Sequence, residues 1–333
     1  MQRVRRAAIA ASLFLALVGA AGSALAEPLR IATTRSASAA PLLLAIEQNF
    51  VADQGLEPKL GFEPNDEAVM AAVRSGKADI GTSSLSAAFY RFAAAHDLKI
   101  IAARSSDETR FPIDVLLIGA KAYQAGFTGL KGIVGARLGI VGDDPVGRYA
   151  LFDVAARFKL DASAIKTVPL KTPADAVSAL SRGTIDAALL SLSDALRLVQ
   201  KGDAILRLSD YAQWQEGVLF ASATTIAARR AALARFIHAY QRATAEYEQN
   251  FLSYDDGGDF IPGPHHDEEL SRLASDLRLA PGTLEATKTY CDPGAAPDVA
   301  DIARQIAFWK DQGRLGKTVT AADLLDLSFL AAK

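Results

Sequence analysis

The chain has 333 residues, half of them apolar and 22% charged, with a formal net charge of −2. That balance leaves no electrostatic footprint for nucleic acid or anionic lipid, and a single cysteine, Cys291, excludes an intrachain disulfide. Stability has to come from core burial, and the length suits about two domains.

Residues 1–26 read as a signal peptide. Arg3, Arg5 and Arg6 form a basic start, and an apolar run follows from Ala7 to about Ala21. Ala24-Leu25-Ala26 supplies the small residues of a cleavage site after Ala26. The apolar run is short for a spanning helix. The expectation is an exported protein of a bacterial periplasm.

The rest alternates between strand and helix. Leu29–Thr33 predicts a strand, Ala39–Val51 a helix, Leu56–Phe62 a strand and Asp66–Arg74 a helix that Gly76 terminates. Ala78–Gly81, Ser84–Ala95 and Leu98–Ala103 continue as strand, helix and strand. The same grammar then returns. Arg137–Val141 is a strand, and Asp144-Pro145 opens a helix to about Phe158, with Asp144 as its cap. Ile165–Leu170 is a strand. Thr172 opens a capping-box-like helix that ends at Gly183. Ile185–Leu190, Ser193–Lys201 and Ala204–Leu208 follow as strand, helix and strand. The segment RSGKADIGTSSLSAA, residues 74–88, is answered by SRGTIDAALLSLSDA, residues 181–195. Gly76 matches Gly183, Asp79 matches Asp186 and Ser84 matches Ser191.

Two similar α/β lobes explain this repeat, each with a parallel-rich sheet covered by helices. The extended runs Pro112–Ile118 and Gly217–Ser222 are the crossovers between them. Residues 27–112 then form the first part of lobe one, 113–220 form lobe two, and 221–333 return to lobe one. This last part is mostly helical, beginning with a long helix at Ala227–Asn250. A loop rich in Gly, Pro and Asp follows at Tyr254–Pro264.

LRIATTRSASAAPLLLAIEQNFVADQGLEPKL, RSGKADIG, FTGLKGIVGARLGIV, SALSRGTIDAALL and GVLFASATTIAARRAALARFIHAYQRATAEY span most of residues 29–250. In order and spacing they resemble the periplasmic substrate-binding proteins of ABC importers, in the branch handling sulfonates, taurine, nitrate and thiamine-pyrimidine precursors. The resemblance implies a two-lobe, type II-like fold that closes about two hinge crossovers and delivers a small solute to a membrane permease. The pocket segments TTRSAS, GTSSLS and GDDPVGR match no single subfamily.

Ligands of open parallel sheets bind beyond the carboxyl ends of the strands. There, Thr34, Arg35, Ser36 and Ser38 open the first helix, where free N–H groups and the helix dipole favour an anionic group. Thr82, Ser83 and Ser84 form the corresponding turn after a later strand. In lobe two, Asp143, Asp144 and Arg148 lie at a helix start, and Ser191 and Ser193 follow a strand. Arg110 and Trp214 precede the two crossovers, where Trp214 is placed to stack on a flat solute. The expected ligand is one small organic solute, most simply an anion. No metal-ligand spacing, phosphate loop or nucleophile elbow is present in the sequence, so no catalysis, cofactor or metal is expected. A monomer serving a permease is the first expectation. A receptor subunit for a membrane sensor kinase, or an exported enzyme on the same fold, are the alternatives.

Overall fold

The computed structural model describes residues 26–142 and 145–330. The expected signal peptide, apart from Ala26, and the candidates Asp143 and Asp144 lie outside the described residues. Ten strands form two sheets: β1 (Glu27–Thr33), β2 (Leu56–Phe62), β3 (Ile80–Ser84), β4 (Leu98–Asp107), β5 (Asp114–Ile118), β6 (Arg137–Val141), β7 (Lys166–Leu170), β8 (Ala187–Ser191), β9 (Ala204–Arg207) and β10 (Trp214–Ser222). The first sheet runs β2-β1-β3-β10-β4 and the second β7-β6-β8-β5-β9. Position by position the two orders are the same.

Each sheet is mixed rather than wholly parallel. In the first, β1 is parallel to β2 and β3, and β10 is antiparallel to β3 and β4. In the second, β6 is parallel to β7 and β8, and β5 is antiparallel to β8 and β9. The antiparallel strand is the one that has just crossed from the other lobe. Strand β10 joins the first sheet at Trp214, so the second crossing is complete there and not at about residue 220. The first crossing lies between Asp107 and Asp114.

The duplication extends to side chains. Arg30 Nε and Nη2 donate to the two carboxylate oxygens of Asp79 at 3.1 and 2.8 Å, and Arg137 does the same to Asp186 at 3.0 and 2.7 Å. The backbone N–H of each arginine donates to the same carboxylate at 2.9 and 2.7 Å. Each pair is 49 residues apart in sequence. The first pair ties β1 to the chain entering β3, and the second ties β6 to the chain entering β8. Gly76 and Gly183, at φ +71° and +69°, make the left-handed turns that end the preceding helices. Thr172 and Asp175 form the expected capping box reciprocally.

One face of the first sheet is covered by the helices Ala40–Glu47 and Ala223–Tyr247, burying Leu42, Leu43, Phe236 and Tyr240. The expected helix Ala39–Val51 is interrupted at Asn49, whose φ is 60°. The other face belongs to a cluster that spans both lobes. The helix Val299–Asp311 buries Ile302, Ile306 and Trp309 among Phe89 and Phe220 of the first lobe and Tyr149 and Leu151 of the second. The C-terminal region therefore touches lobe two as well as lobe one. Tyr149 Oη donates to Asp301 Oδ1 at 2.6 Å, and Tyr149 packs edge-on against Phe308.

Burial pushes the Asp79 carboxyl up, but Arg30 and Arg229 outweigh it and hold the group below its ordinary range. Its side chain is 3% exposed, against 27% for Asp186. Asp79→Ala would strand Arg30 and Arg229 beside a buried gap and should cost about 3 kcal/mol by urea unfolding. Asp186→Ala should cost less. Because the folded-state pKa of Asp79 is depressed, its stabilisation is complete above the unfolded value. The difference from wild type should shrink as pH falls below about 4.

Candidate functional site

The strand ends place the site. In the first lobe, the carboxyl ends of β1, β3 and β4 and the start of β10 share one edge, because β10 runs the opposite way. In the second, the ends of β6, β8 and β9 and the start of β5 share the matching edge.

The first-lobe edge gathers most of the hydroxyls expected from sequence. Ser36 occupies the N-cap position with extended backbone but makes no capping bond; its Oγ pairs with Ser38 Oγ at 3.0 Å. The first turn of this helix therefore has no side-chain cap. Thr33 and Thr82 hydroxyls meet at 2.8 Å, fully buried between β1 and β3. Thr82, Ser83 and Ser84 are strand residues, not a turn, and Ser86 caps the next helix. Gly81 faces the core, where a Cβ would stand 2.7 Å from Phe220. Asp66 Oδ2 accepts the Ser84 N–H at 2.8 Å and the Ser83 hydroxyl at 3.3 Å. Arg104 Nη2 donates to Ser84 Oγ at 3.2 Å. Arg104 is 3% exposed and lies flat on Gly217, where an added Cβ would stand 2.5 Å from its Nε.

The remaining candidates disperse. Arg35 is exposed, donates to the carbonyl of Asp276 and lies 3.8 Å over the Phe62 ring. Arg110 donates to the Gly258 carbonyl at 3.2 Å and stacks on Tyr254. Both are engaged with the C-terminal region rather than with the hydroxyl-lined edge. Arg148 is half-buried on the helix Val146–Arg157, its guanidinium 5.8 Å from the Phe152 ring. Ser191 is an N-cap, accepting from the Asp194 N–H at 3.1 Å, and Ser193 beside it is exposed. Trp214 is buried, and its indole N–H donates to Glu216 Oε2 at 3.3 Å.

Sequence reasoning missed a carboxyl cluster where the two crossovers meet. Asp107, the last residue of β4, is fully buried, and its Oδ2 accepts the N–H groups of Ile113 and Asp114 at 3.0 and 2.7 Å. This bond ties the end of the first crossover back to the first sheet. Asp114, the first residue of β5, lies close enough to Glu216 of β10 for its charge to be felt there. Glu216 is 5% exposed. Asp107 Oδ1, Asp114 Oδ2 and Arg104 Nε have no partner among the described residues. Burial pushes Asp114 up to about 7. Burial and the two neighbouring carboxyls raise Glu216 well above its ordinary value, against the pull of Arg104. Burial and Asp114 do the same to Asp107. Three neighbouring carboxyls cannot all ionise in a dry site.

Glu216 gains no charge-pairing from folding that offsets its burial, so its folded-state pKa lies above the unfolded one. The sign follows: stability is complete below the unfolded carboxylate value and is lost as pH rises toward the folded one. Glu216→Gln keeps the shape and removes the proton requirement. It should unfold at higher denaturant than wild type at pH 8, by about 2 kcal/mol, and should lose that advantage at pH 4.

Comparison with known proteins agrees with this architecture. The NMT1/THI5 like family model matches residues 36–250. No curated protein sequence matches. Among solved structures, the periplasmic aliphatic sulphonate binding protein SsuA from Escherichia coli superposes with a TM-score of 0.67 at 17% identity, covering 90% of this chain and 97% of that one. The alkanesulfonate-binding protein SsuA from Xanthomonas axonopodis pv. citri, bound to MOPS, gives 0.62 at 18%, covering 90% and 98%. A DSZB mutant in complex with biphenyl-2-sulfinic acid gives 0.58 at 14%, covering 91% and 97%. At these identities the structures establish the two-lobe binding-protein fold. With the family model matching well over half its length, the chain belongs to the NMT1/THI5-like family.

Proposed function

We propose that this protein is the solute-binding component of an ABC-type importer, working in the periplasm as a monomer and closing around one small organic solute. The observation that carries the reading is the paired construction. Two lobes of one topology present matching strand ends, and two short crossovers join them. Closure needs no chemistry. A solute that contacts both edges only when they meet shifts the open–closed balance by that difference in affinity. The closed form then docks on a membrane permease. Among the described residues no helix is long and apolar enough to cross a membrane, so the bilayer step falls to a partner.

The solute carries an acceptor-rich, anionic group on this reading. The uncapped first turn at Ser36, the hydroxyl of Ser84 and the Arg104 guanidinium bonded to it favour such a group. Arg104 replaces Arg35 and Arg110 as the expected cation. The site is not read as catalytic. Cys291 is fully buried, and burial pushes its thiol up to about 12, far from a thiolate nucleophile.

Native mass spectrometry of the purified protein, followed by denaturation, should release a small organic anion. The protein should return that compound unchanged after prolonged incubation; conversion to a product would overturn the binding reading in favour of an enzyme. A neutral or cationic compound would overturn the anion assignment alone. Ser84→Ala should weaken rebinding of the released compound by roughly 5- to 30-fold, equivalent to about 1–2 kcal/mol for one hydrogen bond to a charged group.

A further inference from the structure

A single buried carboxylate bonds both lobes at once. Asp301, on the helix Val299–Asp311, is fully buried, and its two oxygens take four donors. Oδ1 accepts the Tyr149 hydroxyl at 2.6 Å and Arg304 Nη2 at 3.0 Å. Oδ2 accepts the Gln215 backbone N–H and Gln305 Nε2, each at 2.8 Å. Tyr149 is buried and comes from the helix Val146–Arg157 of lobe two. Gln215 is on β10 of the first sheet, directly after the second crossover. Beside the carboxylate, Phe308 packs on Tyr149 and Phe152, with ring centroids 5.6 and 5.8 Å away. Gln215 continues the bonds toward the candidate site. Its Nε2 donates to the Ser105 and Gly217 carbonyls at 2.9 Å. Gly217 is the residue on which Arg104 lies, and Arg104 donates to Ser84.

We propose that Tyr149 is a positioning residue for solute binding: through Asp301 it straps lobe two to the helix Val299–Asp311 and to β10, and so holds the angle at which the two strand edges face each other. Its hydroxyl is spent on Asp301 inside the shared apolar cluster, so it acts by placing those edges and not by touching the solute. A hydroxyl–carboxylate bond is short-ranged. Moving lobe two by about an ångström at this point takes the pair out of hydrogen-bonding range. Asp301 then stays buried with one donor fewer, which disfavours the displaced arrangement by a factor of about ten or more. The consequence for solute uptake rests on the binding reading above; the strap itself does not depend on it.

The test is the distance between the lobes in solute-free full-length protein. Glu67→Cys and Lys171→Cys place one spin label on each lobe at exposed positions, while buried Cys291 stays unlabelled. Tyr149→Phe removes only the hydroxyl. Its distance distribution should be broader than the wild type's, with the population outside the wild-type peak raised by about tenfold. Phe308→Ala removes the ring contacts and should act in the same direction; it carries the test if Tyr149→Phe does not fold. Tyr90→Phe is the control. Tyr90, on the helix Ala87–His96 of lobe one, donates to Gln305 Oε1 at 3.0 Å, so its loss weakens the same network without crossing between the lobes. It should lower the melting temperature and leave the distances unchanged. A Tyr149→Phe distribution equal to the wild type's overturns the proposal, and so does an equal broadening in Tyr90→Phe. Either result would leave the solute-binding reading intact, because that reading is tested by the released compound.

Discussion

Each lobe's sheet is completed by a strand that arrives from the other lobe. Strand β10 lies between β3 and β4, and β5 lies between β8 and β9. Neither sheet is whole without the exchange, so the two crossovers are built into the cores they connect. This constraint explains why the junction is polar yet buried. The chain turns from one sheet into the next within a few residues, and the backbone donors at that turn need acceptors. Asp107 supplies one by accepting the N–H groups of Ile113 and Asp114. The cost is a carboxyl in a dry site, beside two more.

The same constraint divides rigid from movable parts. Within each lobe, a bidentate Arg–Asp pair locks two parallel strands together, β1 to the start of β3 and β6 to the start of β8. Between the lobes the ties include Asp107 on the Asp114 N–H, Tyr149 on Asp301, the rings around Phe308 and the apolar cluster around the helix Val299–Asp311. Asp301 itself is anchored to the crossing strand, because its Oδ2 accepts the Gln215 N–H at 2.8 Å and Gln305 bridges the two. Any relative movement of the lobes must therefore disturb these hydrogen bonds and the apolar contacts of the shared cluster.

Much of the fold was legible in the sequence because its signals are local. Strand runs, the Thr172 capping box and the left-handed glycine at Gly183 are set by neighbours within a few residues. The repeat of Asp79 as Asp186 marked a shared structural demand, although it did not reveal the arginines, which lie 49 residues earlier. The site was less legible. Strand β3 extends through Ser84 because Asp66 holds its last N–H, a contact from another element. Arg35 and Arg110 sit at plausible positions, but backbone carbonyls at Asp276 and Gly258 claim them. Arg104 and Glu216 matter through a pairing of β4 with β10 that no local pattern encodes. Reading β4 on past Ala103, with Arg104 and Asp107 at its end, was the one available signal.

If two rigid lobes close on a solute about two short crossovers, the overall dimensions of the protein must change with solute. The most direct measurement is small-angle X-ray scattering of the solute-free protein, before and after adding back the compound released from it. Closure requires a smaller radius of gyration at saturation. A scattering curve indifferent to saturating compound would contradict it.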